Sequence, residues 1–145
     1  MIFIIVLIIL SLDQATKFLV TKFLTLGQSV PIIKNFFYFS LVHNSGAAFG
    51  IFKDQGIIFI IVSIVAIVLI YSALKKNKHL KLYCFSLSLI LAGAIGNLID
   101  RILYGFVIDF LDFRIWPVFN IADSAITIGA ILLGYSIICT PKSAE

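Results

Sequence analysis

Two aspartates in this sequence each follow an asparagine by three residues and lie beside a long apolar run. Asn97 and Asp100 occur in GNLIDRI, residues 96 to 102, and Asn120 and Asp123 occur in FNIADSA, residues 119 to 125. Residues at i and i+3 of a helix lie on one face, so each asparagine can point where its aspartate points. Two carboxyl groups held close together do not easily both ionise, and such a pair can share a proton.

We predict that Asp100 and Asp123 form such a pair, which is the arrangement of an aspartic protease. The ionised member would take a proton from an attacking water, and the protonated member would donate to the developing oxyanion and the leaving amine. This chemistry needs no metal, cofactor or covalent intermediate. Taken singly, Asp100 beside Arg101 would be an interfacial anchor and Asp123 a partner of a helix dipole, but two matched motifs favour a site.

The composition places these motifs in a membrane protein. Hydrophobic residues make up 61% of the chain and charged residues 12%, and the mean hydropathy is +1.15. These values lie far outside those of soluble domains. A chain of 145 residues can make only a few spans, so we expect one compact bundle and no second domain. The net charge of +4 is better explained by membrane topology than by nucleic acid, and no nucleic-acid partner is predicted.

Four transmembrane helices are predicted, at about residues 2–24, 57–74, 82–99 and 121–140, joined on one side by segments 25–56 and 101–118. The loop KKNKHLK, residues 75 to 81, carries four lysines and is therefore placed in the cytoplasm. Both termini are then cytoplasmic, and both long segments lie outside. Asp100 and Asp123 share one depth at the outer edge of the bundle, where small residues let the helices approach closely; these are Gly93, Ala94, Gly96, Ala122 and Ala125.

Two further motifs place polar residues near this edge. Asp13 and Lys17 form an i, i+4 pair whose mutual neutralisation lowers the cost of charge in the membrane, and the residues leave open whether the pair is structural or belongs to a site. Asn44 and Gly46, in NSGAAFG, suit a loop that approaches an extended peptide. The alternative for that segment is a simple turn before the second span.

Two aromatic and β-branched segments are too short to span a membrane as helices. They are FFYFSLVH, residues 36 to 43, and FVIDFLDF, residues 106 to 113, and we predict that both are strands that pair into a small curved extracytoplasmic sheet, or cradle. Asp109 and Asp112 are predicted to be surface or hydrogen-bonding residues rather than a second carboxylate pair, because alternation places them on opposite faces. The predicted fold is an all-α membrane bundle of four helices with this small β-sheet.

Five motifs in this order resemble those of lipoprotein signal peptidase, also called signal peptidase II, over nearly the whole chain. They are LDQATK at 12–17, HNSGAAFGIF at 43–52, AGAIGNLIDRI at 92–102, GFVIDFLDF at 105–113 and FNIADSAITIG at 119–129. The resemblance implies a single-subunit aspartic endopeptidase of the bacterial inner membrane, with an extracytoplasmic cradle and active site. It also implies that the substrates are lipidated prolipoproteins, cut just before a diacylglyceryl-modified cysteine.

Carried over by motif, Asp100 and Asp123 match the catalytic pair of that family. The positions that match its other polar motif residues are Asp13, Asn44, Asn97, Arg101 and Asn120. No metal or other cofactor is expected, since Cys84, Cys139, His43 and His79 show no ligand spacing.

A small proton-coupled transporter or channel subunit is the rival prediction, because membrane carboxylates can relay protons. A relay would need carboxylates near the middle of the membrane and onward to the cytoplasm. Only Asp13 lies deeper than the predicted pair, so the sequence favours the peptidase.

Overall fold

The computed structural model describes residues 2–46, 56–77 and 80–139. Four helices cover the predicted apolar runs: α1 at Ile2–Phe23, α2 at Gly56–Lys76, α3 at Lys81–Tyr104 and α4 at Ile121–Cys139. Each is long and apolar enough to cross a membrane. The predicted combination of a four-helix membrane bundle with a small sheet is confirmed. Residues 47–55 of the first external segment, residues 78–79 of the lysine-rich loop and the end of the fourth span at 140 lie outside the described residues.

The central helix is α3, which packs against α1, α2 and α4. It is mostly buried, whereas the other three helices leave most of their apolar surface exposed, as lipid-facing helices do. Its small residues permit this position. A Cβ added at Gly93 would lie 2.3 Å from the backbone oxygen of Ala122, and one at Gly96 would lie 2.6 Å from Asp13 Oδ2. The predicted close approach of α3 and α4 through small residues is confirmed.

The sheet is antiparallel, with strands β1 at Ser29–Ile33, β2 at Phe37–Asn44 and β3 at Val107–Asp112 in that order. The sequence predicts β2 and β3 but not β1. Pro31 argues against a central strand because it has no N–H to donate, and β1 accommodates it as an exposed edge strand.

The connections around β3 bring the sheet to the end of the bundle. Helix α3 continues past Asp100 and ends at Tyr104. It is capped by Gly105, whose φ of 81° is readily adopted by glycine and whose N–H donates to the backbone oxygen of Arg101. The chain then forms β3 and returns so that Phe119 pairs with Leu111, immediately before α4 begins. The middle of β3 therefore lies beside the start of α4.

Candidate active site

Lys17 joins two buried aspartates from different helices. Its Nζ lies 2.8 Å from Asp13 Oδ2 and 2.8 Å from Asp100 Oδ2, and all three side chains are buried. Gln14 Nε2 also donates to both carboxylates, at 3.1 Å each. The predicted i, i+4 pair of Asp13 and Lys17 is confirmed. Lys17 also forms a salt bridge with Asp100 on α3. We call Asp13, Lys17 and Asp100 the Lys17 cluster.

The Lys17 cluster also holds the beginnings of two other elements. Asp13 Oδ1 accepts the N–H of Ala122 at 2.9 Å, in the first turn of α4. Asp100 Oδ2 accepts the N–H of Ile108 at 3.1 Å, at the start of β3. An ammonium ion between the two carboxylates offsets the cost of burying them. These contacts favour the structural interpretation of Asp13 and Lys17.

Asp109 and Asp123 form a second acidic group, which we call the Asp109–Asp123 pair. Asp109 is 1% exposed; its Oδ1 accepts from Asn120 Nδ2 at 2.7 Å and its Oδ2 from Asn44 Nδ2 at 2.9 Å. Asp123 Oδ1 accepts from Asn97 Nδ2 at 2.7 Å. Among the described residues, neither carboxylate forms a salt bridge. Neutral amides are therefore their hydrogen-bonding partners.

The two asparagines of the matched motifs connect these groups. Asn120 Nδ2 donates to Asp109 and to Asn97 Oδ1, while Asn120 Oδ1 accepts the N–H of Asp123 at 2.8 Å, as a helix N-cap does. Asn97 Oδ1 also accepts from Lys17 Nζ at 3.2 Å. Each asparagine donates to a carboxylate, but not to that of its own motif: Asn97 Nδ2 donates to Asp123 and Asn120 Nδ2 donates to Asp109. These two bonds join α3 to α4 and the residue before α4 to β3.

The pKa of Asp109 is raised from its ordinary value of 3.8 to about 7, mainly by burial and secondly by the negative charge of Asp123. Hydrogen bonds from Asn44 and Asn120, and the charge of Lys17, oppose this rise in the pKa. A carboxyl group with this pKa is partly protonated at neutral pH. Asp109 therefore has the property expected of the proton-holding member of a carboxylate pair.

The contacts of Asp100 argue against its predicted pairing with Asp123. Asp100 is fully buried, its oxygens accept from Lys17, Gln14 and Ile108, and the adjacent ammonium compensates its charge. Asp109, which forms no salt bridge within the described residues and whose pKa is raised, is therefore the better candidate for the partner of Asp123.

The prediction of a surface position for Asp109 and Asp112 is wrong, because they are 1% and 6% exposed, whereas the hydrogen-bonding alternative is right. A carboxylate inside the apolar strand VIDF is costly to bury, and this cost was the signal that could have identified Asp109.

Two cavities adjoin Asp123. The smaller, of about 280 Å³, is the more polar one, and its lining includes the predicted site residues Asn44, Gly46, Asn97 and Arg101. The larger, of about 510 Å³, is almost entirely apolar; its lining includes Phe36, Phe113, Ile115, Trp116 and Phe119 from the extramembrane segments and Ile128 from α4. Asp123 is thus accessible from a polar side and from an apolar side.

Arg101 lies beside the polar cavity. Its guanidinium lies 5.1 Å from the ring centroid of Phe59, and its Nη1 donates to the backbone oxygen of Asn97 at 3.5 Å. Gly46 donates its N–H to Asn44 Oδ1 at 3.1 Å, which orients the amide that holds Asp109. In residues 2–46, 56–77 and 80–139, no three His, Cys, Asp or Glu side chains are grouped so that they could hold a metal ion.

The chain was compared with known families, proteins and structures. Residues 5–139 match the family model described as "Signal peptidase (SPase) II". Relatives named "Lipoprotein signal peptidase" include one from Caldanaerobacter subterraneus subsp. tengcongensis, 50% identical over 93% of this chain and 94% of the relative, and one from Halothermothrix orenii, 47% identical over 92% of each.

Two solved structures are also similar, and both are described as bacterial membrane enzymes determined by the in meso method. The 2.3 Å structure has a TM-score of 0.92 and 33% identity, covering 99% of this chain and 93% of that chain. The 1.9 Å structure has a TM-score of 0.88 and 33% identity, covering 97% and 94%. The sequence match and the shared fold extend over nearly the whole chain. This multi-pass membrane chain therefore belongs to the signal peptidase II family and is a protease.

Proposed function

We propose that the chain removes signal peptides from prolipoproteins, cleaving on the N-terminal side of a diacylglyceryl-modified cysteine. Membership in a protease family and the names of the relatives support this function over the transporter alternative. The observation that carries the mechanism is a buried carboxyl, Asp109, whose pKa is raised to about 7 beside Asp123.

In the proposed reaction, Asp109 holds the shared proton and ionised Asp123 acts as the general base. Asp123 takes a proton from a water whose oxygen forms a bond to the scissile carbonyl carbon. Asp109 donates its proton to the developing oxyanion, and the carbon–nitrogen bond then breaks as the amine takes up a proton from the pair. Asn97 and Asn120 keep the two carboxyl groups in place through bonds of 2.7 Å to each.

The cavities suit the two parts of such a substrate. The peptide backbone has donors and acceptors that can pair with Asn44 and Arg101 in the polar cavity. The apolar cavity, which includes Ile128 on the exposed side of α4, suits the lipid-bearing side of the cysteine.

The proposed orientation places both termini in the cytoplasm and the active site outside. Lys75 and Lys76 end α2 and Lys81 begins α3, and this concentration of lysines supports a cytoplasmic position for the junction. The sheet and the Asp109–Asp123 pair are then extracytoplasmic. The proposed working unit is the monomer, since both carboxylates of the pair belong to one chain.

Labelling of single cysteines tests the orientation, in a Cys139→Ser background because Cys139 is the exposed native thiol among the described residues. Asn77→Cys should react with an impermeant reagent only from the cytoplasmic side, and Lys34→Cys only from outside. Reversed labelling would contradict the proposed placement of the site.

Cleavage of a diacylglyceryl-modified precursor peptide in detergent tests the function. The wild type should cut this peptide before the lipidated cysteine and leave the unlipidated peptide largely intact, while Asp123→Asn should cut neither. Equal cleavage of both peptides would contradict lipid recognition, and no cleavage of either by folded wild type would contradict the function itself.

A further inference from the structure

The pairing register between β2 and β3 shifts by one residue partway along β2. Phe39 lies opposite Leu111, whereas Val42 lies opposite Asp109, so three steps along β2 match two steps along β3. The intervening residues of β2, 40 and 41, therefore oppose a single residue of β3. This is a β-bulge, which bends a strand and redirects the side chains that follow it.

The bulge decides which face of the sheet Asn44 occupies. Directly opposed residues share a face, and a shift of one residue moves every later side chain to the other face. After the bulge, Asn44 lies opposite Val107 and shares the face of Asp109, to which its Nδ2 donates at 2.9 Å. Without the bulge, Asn44 would lie on the face of Asp112 and could not reach Asp109.

Ser40 connects the bulge to both neighbouring strands. Its side chain is buried, and its Oγ donates to Asp112 Oδ2 on β3 at 2.6 Å. Its Oγ also contacts the Ser29 Oγ on β1 within hydrogen-bonding distance. The next residue, Leu41, donates its N–H to the Gln28 oxygen at 3.0 Å. A buried hydroxyl that loses such a partner is costly, so this network stabilises the shifted register.

We propose that Ser40 and Asp112 are positioning residues for the active site: their hydrogen bond holds the bulge in β2 and thereby keeps Asn44 donating to Asp109. The expected effect on turnover rests on the proposed function, whereas the expected effect on Asp109 does not. This inference assigns a role to the second aspartate of β3, which takes no part in the chemistry.

The titration of Asp109 can detect the loss of this contact. The charged groups that act on Asp109 are Asp123 on α4, Lys17 on α1 and Arg101 on α3. A change at Ser40 removes none of these charges. The donation from Asn44 favours the ionised carboxylate, so its loss should raise the pKa of Asp109.

The experiment follows the ¹³C carboxyl titration of Asp109, assigned by its loss in Asp109→Asn, and single-turnover cleavage of the lipidated peptide. Ser40→Ala and Asn44→Ala should each raise the pKa of Asp109 and slow cleavage about 10- to 100-fold, the cost expected of a misplaced active-site group. The double variant Ser40→Ala/Asn44→Ala should be hardly worse than either. Ser40→Thr, which keeps the hydroxyl, should restore both values.

Ser88→Ala is the matched control, because Ser88 is also buried and donates to the Cys84 oxygen at 2.6 Å within α3. It should leave the titration of Asp109 unchanged. If Ser40→Ala does not fold, Asp112→Leu tests the same bond from the other side, because leucine is of similar size and has no group that can accept from the Ser40 hydroxyl.

The inference is overturned if Asn44→Ala shifts the titration and folded Ser40→Ala or Asp112→Leu does not, or if the Ser40 and Asn44 effects are fully additive. If the titration shifts as expected while the wild type cleaves no lipidated peptide, the positioning role stands and the proposed function fails.

Discussion

The Lys17 cluster and the Asp109–Asp123 pair are both acidic, but the Lys17 cluster contains a cation and the pair does not. Asp13 and Asp100 each lie 2.8 Å from the ammonium of Lys17, whereas Asp109 and Asp123 accept hydrogen bonds from neutral asparagine side chains. Burial is nearly the same for Asp100 and Asp109, at 0% and 1% exposure. At Asp109, burial raises the pKa to about 7, and no salt bridge within the described residues offsets this rise.

The five charged side chains of these two groups have different roles. The Lys17 cluster anchors the starts of β3 and α4, through the N–H groups of Ile108 and Ala122. The same two elements carry Asp109 and Asp123. Asn97 joins the two groups by accepting from Lys17 and donating to Asp123. A salt-bridged group thus holds the two elements that carry the Asp109–Asp123 pair.

The largest expected effect is on turnover. Asp109→Asn and Asp123→Asn should each slow single-turnover cleavage about 10²- to 10⁴-fold, the range for loss of a general acid or base, and the double variant should be hardly worse. Asp100→Asn should cost stability and a smaller part of the turnover. Cleavage rates and unfolding curves for the three variants check this, and near-wild-type cleavage by folded Asp109→Asn would contradict it.

Removing the cation should be the most destabilising change. Lys17→Met leaves two buried carboxylates without their counter-charge, for which we expect a loss of about 3–5 kcal/mol in the free energy of unfolding. Unfolding in detergent measures it. Lys22→Met is the control, because Lys22 is an exposed lysine on the same helix, and it should change stability little. Equal stability of the two variants would show that Lys17 does not neutralise the cluster.

The raised pKa of Asp109 should make stability depend on pH. The folded carboxyl binds a proton more tightly than the unfolded one, whose pKa is the ordinary 3.8, so its contribution is fully present below about pH 4 and is lost as pH rises through about 7. Between these pH values the free energy of unfolding of the wild type should fall by up to about 4 kcal/mol relative to that of Asp109→Asn. Unfolding of both proteins from pH 5 to 8 tests this, and parallel curves would contradict the raised pKa.

The smallest expected effect is the loss of stability when a substitution disturbs the close packing of α3 on α4. Gly93→Ala places a Cβ against the backbone oxygen of Ala122, which cannot move aside easily, and should cost about 1–3 kcal/mol. In Gly134→Ala the added Cβ meets nothing within 4 Å, and alanine favours the helix, so that variant should be neutral or more stable. A stable Gly93→Ala protein would mean that the helices can separate at this point without penalty.

The elements of the fold could be predicted from the sequence, but the pairing of the carboxylates could not. Apolar runs and aromatic alternation identify the helices, β2 and β3, because each pattern is local. The bond between Lys17 and Asp100 joins α1 to α3, and the bulge in β2 leaves no local pattern. Matched spacing made Asp100 the predicted partner of Asp123, whereas the return of the chain along β3 brings Asp109 to Asn120 beside the start of α4 and makes Asp109 the partner that we propose.

The central claim is that Asp109 is coupled to Asp123 and that Asp100 belongs to a separate, salt-bridged group. The most direct measurement is the ¹³C carboxyl titration of Asp109 in the wild type, in Asp123→Asn and in Asp100→Asn. The wild-type pKa of Asp109 should be about 7, Asp123→Asn should lower it by removing a neighbouring negative charge, and Asp100→Asn should leave it nearly unchanged. If the pKa of Asp109 does not change in Asp123→Asn, or changes more in Asp100→Asn, the result would contradict this claim.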